Sequence, residues 1–167
     1  MHLEVSEYVF KTFHDWHRPV HYDLKVLEIG ACNINGSVRN IIQPFAEEYV
    51  GIDMQAGPDV DLVADGSTYW KPDYFDLVVC CEVFEHTDNW KNIIKQSYIN
   101  LKTSGMFLAT MAGEGRPFHS GVDGMKLRDG EHYANIGAVE LNNSLWMFSR
   151  GREVSISGVD LRCWAIK

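Results

Sequence analysis

Residues 26–53, VLEIGACNINGSVRNIIQPFAEEYVGID, restrict the fold more than any other part of the chain. An apolar run ends in Glu28-Ile29-Gly30, and a turn follows that carries Gly36 and Ser37. Val38, Ile41, Ile42 and Phe45 then recur at helical spacing, and a second apolar run, 49–52, ends in Asp53. The pattern reads as strand, loop, helix, strand, with Ser37 placed to cap the helix. A β-α-β unit of this kind offers a loop and a helix N-terminus to a nucleotide, with an acid at the second strand end for its ribose.

The rest of the chain continues the alternation. Val5, Tyr8, Val9, Phe13 and Trp16 predict an amphipathic helix over about 4–17, stopped before Pro19 and packed on the sheet edge or over the ligand site. After MQAGPD, too short for a crossover helix, residues 60–64 predict a third strand. FDLVVCC (75–81) is a buried parallel strand, and Trp90, Ile93, Ile94, Tyr98 and Leu101 mark a helix capped by Asp88 or Asn89. Thr103-Ser104-Gly105 ends that helix, and 106–111 form the fifth strand. Residues of about 113–135 are rich in Gly, charge and His, with no periodicity; a loop this long is usually functional. Ala138, Leu141, Leu145 and Phe148 give a last helix, and 153–157 with 161–166 alternate across SGVD as a terminal antiparallel hairpin.

The 167 residues fit a single α/β domain, 1–167, of about seven strands. A net charge of −8 without a basic cluster disfavours nucleic acid and anionic membranes as partners. The four cysteines form no CxxC pair and read as small apolar residues in a reducing cytoplasm. No signal peptide and no run of roughly 18 apolar residues is present, so a cytoplasmic location is expected.

In this order the motifs resemble the class I S-adenosylmethionine-dependent methyltransferases over essentially the whole chain. The resemblance rests on Glu28-Ile29-Gly30, Asp53 in YVGID, Asp65-Gly66 in DLVADG, and FDLVVCCEVFEHTDNW followed by an LK-x-SG turn. It implies a three-layer Rossmann-like fold with a seven-stranded, mostly parallel sheet in the order 3-2-1-4-5-7-6 and an antiparallel last strand. It also implies S-adenosylmethionine as cofactor. Glu28 would orient the methionine end and Gly30 let the backbone approach; Asp53, with Met54 beside it, would take the ribose hydroxyls. Asp65 and Gly66 would flank the adenine, and Cys81 and Glu82 would lie near the methionine ammonium. The family's glycine loop runs acid-x-G-x-G-x-G, whereas here Cys32 and Ile34 replace the later glycines. Asn33, Asn35 and Gly36 are then expected to supply contacts on a wider path.

Methyl transfer is an in-line displacement, and a base is needed only where the acceptor must lose a proton. The catalytic candidates are His86, Glu82, His132 and His119. A minority of relatives with a similar ExxEH, including small-RNA 2′-O-methyltransferases and ubiquinone-pathway O-methyltransferases, bind a divalent metal there. That makes Glu82, Glu85, His86 and His132, with His119 as a second choice for the extra histidine, the metal-ligand candidates, for Mg²⁺ above all. Arg116 could clamp an anionic substrate group or form a salt bridge. His14, His17 and His21 read as surface residues, and Trp16, Tyr69, Trp70 and Trp146 as core or edge packing. The expected acceptor is a small-molecule hydroxyl, held by the N-terminal helix and the 113–135 loop in a monomer or homodimer. The rivals are a nicotinamide-dependent oxidoreductase and a degenerate cofactor-binding or interaction domain.

Overall fold

The computed structural model describes residues 3–17 and 23–167. Its elements are α1 (Leu3–Trp16), β1 (Leu24–Ile29), α2 (Arg39–Ile42), β2 (Ala46–Asp53), β3 (Leu62–Val63), β4 (Phe75–Cys81), α3 (Trp90–Asn100), β5 (Leu101–Ala112), α4 (Ala138–Ser144), β6 (Arg152–Ser157) and β7 (Asp160–Ile166). Single 3-10 turns follow α2 (Gln43–Phe45) and β4 (Phe84–His86). The seven strands form one sheet, β3-β2-β1-β4-β5-β7-β6. Strands β1 to β5 run parallel, and β7 inserts antiparallel between β5 and β6. This is the implied order, with the antiparallel last strand.

Alternation along the central strands explains the three layers, since successive side chains leave opposite faces. Leu27, Ile29, Val78 and Phe107 bury one face under α3 and α4, through Ile93, Ile94, Leu141 and Leu145. Val26, Leu77, Val79 and Met106 bury the other under Val5, Val9 and Phe13 of α1 and Ile42 of α2. The described part of α1 therefore covers a sheet face and contributes nothing to the ligand cleft, because its apolar stripe is satisfied by the strands. His17 is likewise no surface residue: it is buried, its ring stacked 5.1 Å from Phe13, and His14 packs on Phe10, Phe13 and Phe45. His21 and Pro19 lie outside the described residues. Trp70 and Trp146 project into solvent instead of packing, while Trp16 and Tyr69 are partly buried against the two cores.

Three local expectations shift. Helix α2 begins at Arg39, with Val38 at its N-cap, and Ser37 Oγ accepts from the Arg39 N–H at 3.0 Å. Strand β3 shrinks to two exposed residues, since it is an edge strand with a single neighbour. Strand β5 starts at Leu101, and 102–105 form an excursion inside it: Phe75 pairs Leu101 whereas Leu77 pairs Met106. No helix among the described residues is long and apolar enough to cross a membrane.

Candidate active site

The C-terminal ends of β1, β2 and β4 open into one cleft of about 1020 Å³. Every cofactor candidate lines it: Glu28, Gly30, Asn35, Gly36, Asp53, Met54, Asp65, Gly66, Cys81 and Glu82. So do His86, His119 and His132, with the loop residues Phe118, Val122 and Met125 on the outer wall. Strand ends converge here because parallel strands all finish on the same side of the sheet, and loops rather than side chains then define the space.

At the exit of β1, Gly30 takes φ +78°, and a Cβ there would sit 2.2 Å from Val83 Cγ2. Its N–H, like that of Ala31, donates to the Ile52 carbonyl (2.9 and 3.0 Å), which turns the chain toward β2. The unusual loop that follows is held by Asn33. Its side chain donates to Asp59 (2.8 Å) and accepts from the Gly36 N–H (3.0 Å), while its own N–H reaches the Pro58 carbonyl. Asn33 therefore shapes the loop, and Cys32 Sγ fills the space that a Cβ on Gly57 would take. The wider path leaves Ile34, Asn35 and Gly36 on the cleft wall.

Asp53 Oδ2 accepts from the Cys32 N–H (3.2 Å) and Oδ1 from the Gln55 N–H (3.0 Å). Each oxygen keeps a lone pair, so the carboxylate is oriented by the backbone and still able to grip a diol. Asp65 Oδ1 accepts from the Ser67 N–H at 2.8 Å, and Gly66 lies where a Cβ would come 2.5 Å from Ile29 Cγ2. Glu28 is 5% exposed, and its Oε2 accepts from the Tyr49 hydroxyl at 2.8 Å. Burial pushes its carboxyl up to about 7, against the pull of Tyr49 and Arg39. Burial also raises the Cys81 thiol, which stays uncharged beside it. These groups fit a cofactor with a cationic end, a ribose and a planar base.

The far side of the cleft is built by the turn after β4 and the 113–135 loop. Glu82, at φ +56°, accepts from Thr110 Oγ1 (2.9 Å) and lies 3.8 Å from Arg116, which is also paired with Asp160. Arg116 is thereby tied to the protein's own carboxylates. Glu85 is fully buried behind the wall, held by the Ala134 N–H on its carbonyl (2.9 Å). Its carboxyl oxygens meet no well-placed donor; the amides of Glu85 and Ala112 reach it only weakly. Burial, with Glu82 nearby, pushes this carboxyl well up. His86 Nδ1 is also buried without a partner, and burial next to His119 pulls the ring down to about 4. His86, His119 and Tyr133 meet edge to face at 4.9–5.2 Å between ring centres. His119 Nδ1 lies 3.1 Å from the Pro117 carbonyl. A carbonyl only accepts, so in the neutral ring Nδ1 carries the proton and Nε2 the lone pair.

Glu85, His86 and His119 each bring a ligand atom within 4.8 Å of the others. Among the expected ligands, Glu82 and His132 stand outside this group. Glu82 is engaged by Thr110, and His132 is exposed at the cleft rim. Sequence reasoning missed Tyr133, Arg39 and Tyr49. For Tyr49 a signal existed: the period of two in YVGID sets Tyr49, Gly51 and Asp53 on one face of β2.

A family model described as "Methyltransferase domain" matches residues 27–109. A search of curated protein sequences returned no match. Among solved structures, the chain resembles the YcgJ protein of Bacillus subtilis, with TM-score 0.72 and 12% identity over 99% of each chain. It also resembles a SAM-dependent methyltransferase from Archaeoglobus fulgidus (0.69, 14%, covering 97% of this chain and 94% of that one). A third is the 1,6-didemethyltoxoflavin-N1-methyltransferase of Burkholderia thailandensis, solved with 1,6-didemethyltoxoflavin and S-adenosylhomocysteine (0.66, 12%, covering 98% and 76%). At these identities the likeness is one of fold.

Proposed function

We propose that this chain, which belongs to the class I S-adenosylmethionine-dependent methyltransferases, methylates a hydroxyl group of a small molecule with His119 as general base. The observation that carries the reading is the His119 ring, whose Nδ1 is occupied by the Pro117 carbonyl so that Nε2 is left as an acceptor in the cleft. When bound, S-adenosylmethionine supplies an electrophilic methyl on sulfur. Asp53 holds the ribose, Asp65 and Gly66 the adenine, and Glu28 the methionine ammonium. With the cofactor bound, His119 Nε2 would accept the proton of an acceptor hydroxyl and so leave its oxygen as the nucleophile. Ile34, Phe118, Val122 and Met125 line the cleft with apolar surface that is exposed in the ligand-free fold and that a bound ligand would cover. A cleft of about 1020 Å³ leaves room beyond the cofactor for a metabolite-sized acceptor. The Burkholderia thailandensis neighbour, named for a small-molecule acceptor, agrees with that size class.

Calorimetry with S-adenosylhomocysteine tests the cofactor site: Asp53→Ala should weaken binding at least tenfold. His119→Asn should lower kcat by about 10²–10⁴ with cofactor affinity unchanged. A variant with full turnover of a hydroxyl acceptor would remove the base from His119.

The unpartnered oxygens of buried Glu85 and the unpartnered Nδ1 of His86 favour a second reading, in which a divalent cation sits among Glu85, His86 and His119. A carboxylate with two imidazoles suits Mn²⁺, Fe²⁺ or Zn²⁺ and can accept Mg²⁺. Such an ion would polarise the acceptor hydroxyl in place of a free base. Activity lost to a chelator and restored by Mg²⁺ or Mn²⁺ separates the two readings, since a free His119 base is indifferent to chelation.

A further inference from the structure

We propose that Tyr49 and Arg39 are positioning residues for the cofactor: together they hold the Glu28 carboxylate in the orientation and charge state that a ligand ammonium requires. The inference rests on the cofactor occupying the cleft as described above, and it assigns a role to a chain of side chains outside the cleft lining.

The chain is continuous. The Tyr49 hydroxyl donates to Glu28 Oε2 at 2.8 Å, which leaves Oε1 for a ligand. The Arg39 guanidinium stacks 4.6 Å from the Tyr49 ring centre and pairs with Asp61. Asp61 in turn accepts from the Gly51 N–H of β2 at 2.7 Å. Gly51 provides the slot for this arrangement, because a Cβ there would meet Arg39 Nη2 at 2.9 Å and the Asp59 carbonyl oxygen at 2.6 Å. The glycine of YVGID is thus explained by Arg39 lying across β2. Parts from β1, β2, α2 and the segment before β3 converge on one carboxyl, more than capping a strand end needs.

Electrostatics say why Glu28 needs help. Nearly complete burial disfavours its charged form, and Asp59 and Asp61 add to that, while Tyr49 and Arg39 oppose it. From β4, Cys81 faces the same carboxyl, and burial raises its thiol. Tyr49 itself is raised out of reach by burial and Glu28, so it remains a donor throughout. With Glu28 near about 7, a bound ammonium favours the ionised form. Ligand affinity is then full above that pH and falls by up to about tenfold per pH unit below it, with proton release on binding near neutrality. Removing the Tyr49 hydroxyl takes away a contact that lowers Glu28, so the break moves to higher pH.

The test is calorimetry of S-adenosylhomocysteine binding between pH 5.5 and 8.5, in two buffers of different ionisation enthalpy, for wild type, Tyr49→Phe, Arg39→Gln and Glu28→Gln. The expected result is a wild-type break near neutral pH, a break displaced upward in Tyr49→Phe and Arg39→Gln, and no break in Glu28→Gln. At pH 7, Tyr49→Phe should bind several-fold more weakly, converging toward wild type at the top of the range. A uniform loss at every pH, or a wild-type profile in Tyr49→Phe, would overturn the positioning role while leaving the cofactor site standing. Absence of binding by the wild-type protein at all pH values would instead overturn the cofactor reading and this proposal with it.

Discussion

Glu85 combines complete burial with a carboxyl that lacks a well-placed donor, a combination proteins avoid unless something compensates. In the free protein its raised affinity for a proton keeps it neutral, and the sign of the pH effect follows. The folded state binds that proton more tightly than the unfolded chain, so stability is full in the acid range and falls as pH rises past the ordinary carboxylate range. The slope can reach about 1.4 kcal/mol per pH unit while only the folded state holds the proton. Glu85→Gln should flatten the decline, read as melting temperature against pH in chelated buffer. His86 works in the opposite sense: with its ring pulled down to about 4, its contribution is present above about 6.5 and is lost as pH falls toward 4. If the Glu85, His86 and His119 group holds a cation, adding Mg²⁺ or Mn²⁺ at pH 8 should raise the wild-type melting temperature and leave Glu85→Gln unmoved. An equal response in both proteins would put the ion elsewhere.

Among the elements, β5 shows what a sequence pattern hides. Thr103-Ser104-Gly105 carries turn chemistry, yet these residues bulge within a strand that begins at Leu101, with Ser104 at φ +68°. A Cβ on Gly105 would meet the Lys102 and Asp76 carbonyl oxygens at 2.9 and 3.0 Å. Backbone oxygens cannot rotate away, so Gly105→Ala should destabilise the protein by about 1–3 kcal/mol in urea unfolding. A change below about 0.5 kcal/mol would mean that the excursion relaxes freely. Elements with their own periodicity were legible in sequence: β4 from its continuous apolar run, α3 from its stripe, and β6 with β7 from their alternation. Glu28, Asp53 and Asp65 were singled out by the motif resemblance, and they reach one cleft because parallel strands end on the same side of the sheet. The 113–135 loop was not legible. Its path depends on a contact distant in sequence, Ala134 N–H to the Glu85 carbonyl, and on one across the loop, Ser120 Oγ to Glu131 (2.7 Å), and it ends with His119 beside His86 and His132 at the rim. No local pattern encodes that choice.

At the scale of the molecule, the two apolar cores lie on opposite faces of the sheet, and the cleft lies at the strand ends between them. The cleft walls are the 30–38 loop, the exits of β2, β3 and β4, and the loop after β5, which are joined mainly by short polar contacts. A ligand reaching from Asp65 to Glu82 would link these exits in the folded state only. Its binding free energy therefore adds to folding stability, by about 2.7 kcal/mol at a concentration one hundred times Kd. For a domain of this size each kcal/mol moves the melting temperature by about 2–4 °C, so S-adenosylhomocysteine at that level should raise it by roughly 5–11 °C. Asp53→Ala, at the same ligand concentration and with binding weakened at least tenfold, should lose about half of the rise or more. Hydrogen exchange should slow in 30–38 and 115–126, where the ligand suppresses local opening, and in any strand amide that exchanges only through global unfolding, because the ligand raises that limit too. A thermal rise with protection confined to the β6–β7 edge would place the ligand away from the cleft, and the strand-end reading of Glu28, Asp53 and Asp65 would fall.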